Sequence, residues 1–362
     1  MPCITNPSLG KSRLCPKLTE NERRDMSSVE SNKPARSTFS RRGVLSLGLG
    51  ASLACIGARA QTGKPLAARI GYIGDFNGAS MVAVANKLNL WAKHGIAPEL
   101  KIFTNGPLQI QAMGAKDLDF GYIGPGALWL PMSSRAKIIA INNLGFSDRV
   151  IAQPGIASIK DLKGKTVAVT EGTTGDMLLR LALQKSGMSS DDIKRVTMDP
   201  STIVTAFSSS QVDAAGIWYP LVGTIKQRVP KLQELFSNGD LYPTYCFPTS
   251  FVSRPDIAES NPALVEAMIR VIKEANDFRV KNLKQAVELT AALLNAPLPA
   301  LESEAAVTKH FTSDELVKLT RDGTVNGWLT GMNELFKSLG RVTESVSPDK
   351  YFLASKYAET KV

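Results

Sequence analysis

From about residue 66 onward, short apolar runs alternate with segments whose apolar residues recur every three to four positions. That alternation predicts strands followed by amphipathic helices, hence an α/β protein whose sheet is covered on both faces. Strands are predicted at 69–73, 98–103, 118–123, 137–141, 166–169 and 213–218. Met81, Ala85, Leu88 and Trp91 with Ala92 keep helical spacing ahead of Gly95. A helix opens at Gly106-Pro107 toward Met113, and another runs over 176–186 with Leu178, Leu181 and Ala182 on one face. Asn261-Pro262 starts a helical region as an N-cap/N1 pair, Thr312 and Glu315 have capping-box spacing, and helix 327–339 stops at Gly340. The charged turn near 160–165 introduces a second βα block within 155–245. It reads as a self-contained unit inserted between two stretches of similar design, with crossovers near 150–155 and 246–252.

The first sixty residues follow different rules. The opening forty are polar and without periodicity. Ser40-Arg41-Arg42 then precedes a weakly apolar, Gly-containing run to Ile56, and Ala58-Arg59-Ala60 offers small residues for a signal peptidase. The pattern is similar to a twin-arginine export signal cleaved between Ala60 and Gln61, with Met1 or Met26 as start. The run is too short to span a ~30 Å hydrocarbon core. The expected location is the periplasm.

Without that leader, residues 61–362 carry 33 basic and 29 acidic residues, net +4. This mixed surface does not read as a nucleic-acid binder. Cys246 is the one cysteine of the segment, leaving no disulfide within it, and it reads as a buried thiol in a hinge region. His94 and His310 are far apart with no ligand spacing around them, so no metal or cofactor is expected.

Four strand-to-helix turns share Gly, Pro and small hydroxyl residues: 74–80, 104–107, 121–125 and 171–175. In open α/β sheets, ligands bind beyond the carboxyl ends of strands, where the first-turn N–H groups of a helix form an anion site. Glu171-Gly172-Thr173-Thr174-Gly175-Asp176 is the best candidate, although Thr at an N-cap and Gly in a turn also serve ordinary structure, and Asp176 would repel an anion. Asp119 and Asp213 read as structural.

Three stretches carry a family resemblance: Leu118-Asp119-Phe120-Gly121-Tyr122-Ile123-Gly124, the strand–turn–helix from Ile159 to Ala182, and Val212-Asp213-Ala214-Ala215 running into Trp218-Tyr219-Pro220. Over about 66–345 the chain resembles the nitrate/sulfonate/taurine group of periplasmic solute-binding proteins that serve ABC transporters. The resemblance implies a type II periplasmic-binding-protein fold: two α/β lobes, 66–152 with 250–362 and 153–249, and a ligand cleft between them. It implies a non-catalytic monomer that hands a small organic anion, sulfonate-like, to a membrane permease. Carried over by position, the ligand-binding residues are Phe76, Asn77, Gly78, Tyr122, Gly124, Pro125, Thr173, Thr174, Trp218 and Tyr219.

One departure bears on the ligand. Tyr219 stands where many relatives have an acidic residue between Trp and Pro, which puts an amine-bearing, taurine-like ligand in doubt. Burying one aromatic wall of ~150 Å² at about 25 cal/mol/Å² adds up to ~4 kcal/mol. The aromatic residues therefore suit a ligand of roughly seven to fifteen heavy atoms. The alternative is an enzyme on the same fold, of the thiamine-pyrimidine-precursor synthase type or a desulfinase pairing Cys246 with His310 or His94.

Overall fold

The computed structural model describes residues 64–362; the expected export signal and the expected cleavage site lie outside the described residues. Eleven strands form two sheets. The first holds β1 (Leu66–Ile73), β2 (Ile96–Phe103), β3 (Phe120–Ile123), β4 (Lys137–Gly145), β10 (Pro248–Ser253) and β11 (Thr308–His310), in the order β11-β4-β10-β3-β1-β2. The second holds β5 (Asp148–Ala152), β6 (Thr166–Val169), β7 (Lys194–Thr197), β8 (Ala214–Trp218) and β9 (Gln233–Ser237), in the order β7-β6-β8-β5-β9.

Each sheet has a parallel set joined by helical crossovers and an inner strand reversed against it, and the first sheet also has the edge strand β11 antiparallel to β4. β1 runs parallel to β2 and β3, and β6 parallel to β7 and β8. β10 is antiparallel to β3 and β4, and β5 to β8 and β9. β5 and β10 carry the chain across, so each begins where the parallel strands end. Asp148, the first residue of β5, is thereby brought to the carboxyl edge of both sheets. The residues 148–152, expected in the first lobe, belong to the second sheet, and the crossing is made by Phe146-Ser147, a few positions before the expected 150–155.

Local chemistry explains the helix starts. Asp75 caps Phe76–Lys87, Asn105 caps Gly106–Gly114, and Asn261 caps Pro262–Lys281 through Leu264 N–H at 3.2 Å. Thr312 and Glu315 close a capping box. β4 continues past the predicted end at 141 because its polar residues are satisfied inside. Asn142 Nδ2 donates to Asn77 O (3.0 Å), Asn143 Nδ2 donates to Asn77 Oδ1 (2.7 Å), and Thr249 Oγ1 donates to Asn143 Oδ1 (2.8 Å). Asp119 pairs with Arg69 and Arg254, and Asp213 accepts Thr166 N–H at 2.8 Å, so both serve structure.

Candidate functional site

The carboxyl ends of the two sheets face each other across a narrow cavity whose empty space, open mouth included, is about 480 Å³. The β1 turn supplies Asp75 and Asn77, the β2 turn Asn105 to Pro107, and the β3 turn Tyr122, Gly124 and Pro125. The β4–β5 crossing gives Ser147 and Asp148, the β6 turn Thr173 and Thr174, and the end of β8 Trp218. Thr249 from β10 and Glu304 from the helix Leu298–Ala306 complete the wall.

Both lobes touch around this cavity. Gly126 N–H donates to Thr174 Oγ1 at 3.0 Å, Thr104 Oγ1 donates to Asp199 Oδ2 at 2.9 Å, and the Trp218 indole donates to Asp75. Farther out, Arg341 Nη2 reaches Glu171 Oε1 (2.6 Å) and Asp176 Oδ2 (2.5 Å), while its guanidinium lies over the Trp129 ring at 5.8 Å. Asp176 is 1% exposed and also pairs with Arg180 and Arg195. Burial opposes ionisation of Glu171, but Arg195 and Arg341 outweigh it and draw its carboxyl down to about 2.

Three carboxylates share the wall. Asp75 is pushed up to about 7 by burial, against the pull of Gly78 N–H and Trp218. Asp148 rises to about 7, again by burial, with Arg149 opposing and the Asp75 charge adding. Burial, then the Asp75 charge, holds Glu304 well above the usual carboxylate range. Glu304 accepts Phe76 N–H (2.6 Å), Asn77 N–H (3.1 Å) and Asn77 Nδ2 (2.7 Å). No Lys, Arg, His or Cys stands among the lining residues. Among the described residues, no group of three or more His, Cys, Asp or Glu is arranged to hold a metal ion.

A family model described as NMT1/THI5 like matches residues 78–286. The chain belongs to the NMT1/THI5-like family. A binding protein of Brucella abortus (strain 2308) is 56% identical over 80% of this chain and 91% of its own. The taurine-binding periplasmic protein of Escherichia coli (strain K12) is 24% identical over 78% and 90%. Among solved structures, the alkanesulfonate-binding protein SsuA of Xanthomonas axonopodis pv. citri, bound to MOPS, superposes with a TM-score of 0.61 at 19% identity, covering 80% of this chain and 99% of that one. The desulfurization enzyme DSZB gives 0.57 at 13% identity, over 82% and 98%. The fold is that of the periplasmic binding proteins: two α/β lobes with a cleft between them.

Within this NMT1/THI5-like frame, the structure gathers seven of the ten sequence-predicted site residues on the cavity wall: Asn77, Tyr122, Gly124, Pro125, Thr173, Thr174 and Trp218. It places three elsewhere. Phe76 is fully buried with its ring edge-on to His310, centroids 5.7 Å apart. Gly78 packs against β1, where an added Cβ would lie 2.9 Å from Ile73 N and O. Tyr219 follows Trp218 at the strand end, so its side chain takes the other face. Its hydroxyl donates to Glu234 Oε1 and accepts from Lys226 Nζ, both at 2.9 Å.

The anion site expected at the first corner is closed. The N–H groups of Phe76 and Asn77 go to Glu304, and that of Gly78 to Asp75. The Asn77 side chain is likewise committed to Glu304, Thr308 and Asn143. At the best-ranked corner, Asp176 Oδ2 accepts Gly172 N–H at 3.1 Å, and Thr173 Oγ1 donates to Thr170 O at 2.7 Å. The missing acid between Trp218 and Pro220 does not leave the site without carboxylates, because Asp75, Asp148 and Glu304 supply them from other elements. Asp75 lay within the expected turn 74–80 but was not singled out, and Asp148 and Glu304 carried no sequence signal. Cys246 is buried, and it is not a lining residue.

Arg341→Met removes the cross-lobe ion pairs while leaving Asp176 with Arg180 and Arg195. The expected outcome is a larger radius of gyration for the ligand-free protein in small-angle scattering at low salt. The difference from wild type should vanish at 1 M salt, where the screening length is about 3 Å.

Proposed function

We propose that this chain is the extracytoplasmic solute-binding component of an ABC importer. It captures a small organic ligand between its lobes in the periplasm and presents the closed form to a membrane permease, releasing the ligand unchanged. One observation carries the reading: a cavity built by residues of both lobes and shut by hydrogen bonds and ion pairs between them, the geometry of a hinge-closing binding protein. The lining residues lack the Cys and His that the enzyme alternative requires.

The functional roles of Asn77, Tyr122, Gly124, Pro125, Thr173, Thr174 and Trp218 as ligand contacts are part of this proposal. A sulfonate-like anion draws support from the names of the Escherichia coli and Xanthomonas relatives. The cavity wall does not add to that support, since its charged groups are carboxylates. Native mass spectrometry of the full chain purified from bacterial cells tests the function. A retained small molecule, recovered with its mass unchanged after prolonged incubation, is expected; conversion to a product would replace binding with catalysis.

A further inference from the structure

We propose that the cleft binds a small organic cation, with a protonated nitrogen seated between Asp75 and Asp148 beside Glu304 and its organic part against the rings of Tyr122 and Trp218. This deepens the solute-binding reading and rests on it.

The three carboxylates come from three separate elements, and their residues are 5%, 5% and 1% exposed. Their hydrogen-bond partners are uncharged: Gly78 N–H and Trp218 for Asp75, Asn238 Nδ2 and Thr174 for Asp148, and the Phe76 and Asn77 donors for Glu304. The nearby guanidiniums are committed elsewhere. Arg149 holds Glu234 and the carbonyls of Phe146 and Asp148, and Arg279 holds Ser80 Oγ (3.0 Å) and Asn142 O (3.2 Å). An independent observation points the same way. Ser147 sits on the cavity wall, 7% exposed, and its hydroxyl makes no hydrogen bond among the described residues. Its oxygen is not sealed from the cavity, so it is available to a ligand's donor.

Charge decides between ligand classes. Once Asp75 and Asp148 are ionised, a sulfonate would meet their charges at short range with no cation among the lining residues to offset them. A protonated nitrogen offers several N–H donors and reverses the sign of each of those interactions. An aromatic or amidine plane gains further from the two rings. The acids are not gathered as metal ligands, which favours an extended organic cation over a bare ion.

The groups titrating near pH 7 are Asp75, which faces Glu304, Tyr122 and Trp218, and Asp148, which faces Arg149, Thr174 and Asn238; no His lines the cavity. Cation affinity therefore rises with pH as these acids ionise.

The test is calorimetry on the full chain with three near-isosteric probes: benzamidine, benzamide and benzenesulfonate. Benzamidine should bind at least tenfold more tightly than either of the others, and more tightly at pH 8 than at pH 6. Asp148→Asn should reduce its affinity at least tenfold, and Ser147→Ala several-fold. Should Asp148→Asn fail to fold, the wild-type pH series and Ser147→Ala still decide. Equal binding of benzamide, or an affinity that falls with pH, overturns the assignment. Benzenesulfonate binding without benzamidine binding overturns it and leaves the solute-binding reading standing; binding of none of the three, with no molecule retained in native mass spectrometry, overturns both.

Discussion

Gly126→Ala is expected to hold the two lobes apart and to weaken ligand binding roughly hundredfold. A Cβ at Gly126 would fall 2.1 Å from Thr174 N and 2.3 Å from both Thr173 C and Thr174 Cα. Those are backbone atoms of the opposite lobe, so no rotamer change relieves the overlap. Gly126 does not have a positive φ, so alanine suits its backbone and the first lobe is left intact. Forced overlap of this kind costs about 3 kcal/mol, equivalent to about a hundredfold in affinity. Because the clash exists only in the closed arrangement, the loss should appear in binding and not in folding. Calorimetry with the co-purifying ligand, paired with a thermal melt of the ligand-free protein, separates the two. An unchanged affinity would mean that closure tolerates a different lobe contact.

The second large effect falls on stability. Glu304→Ala is expected to destabilise the ligand-free protein by about 3–5 kcal/mol. The substitution strips the acceptor from Phe76 N–H, Asn77 N–H and Asn77 Nδ2 at once, all buried. Each orphaned donor costs about 1–3 kcal/mol. Glu304→Gln keeps an acceptor and removes a carboxyl that burial already disfavours in its charged form, so its cost should be well below that of Ala. Chemical denaturation of the two variants measures the difference. Equal losses would show that the charge of Glu304, and not its acceptor geometry, holds the start of the helix Phe76–Lys87.

The frame of the protein was readable because its signals are local. Asp75, Asn105, Asn261 and Thr312 cap the helices that follow them, and the apolar runs at 66–73 and 166–169 form strands whose neighbours repeat the pattern. The turn residues that reach the cavity were readable for the same reason: strand ends on one edge of a parallel sheet converge. What escaped was long-range pairing. β5, β9 and β11 gain their partners only across the fold, and the polar pair Asn142-Asn143 looked like a strand end because Asn77, its partner, is 65 and 66 residues away. The electrostatic character of the site was hidden in the same manner. Glu304 is an acid in an ordinary helix until folding carries it 228 residues back to Phe76, and Asp148, just ahead of the crossover expected near 150–155, reaches the cleft only through the reversal of β5.

The two crossings between the sheets lie side by side. Gly145 N–H donates to Phe247 O at 3.1 Å, and Leu144 pairs with Pro248. The chain therefore departs and re-enters through one doorway, and everything between is a cassette whose ends already meet. Closing such a gap adds little entropy cost, so residues 146–247 could be exchanged for the matching piece of a relative without rewiring the host sheet. Ser147, Asp148, Thr173, Thr174 and Trp218 would travel with the graft, and ligand preference could be recombined by swapping modules at one seam.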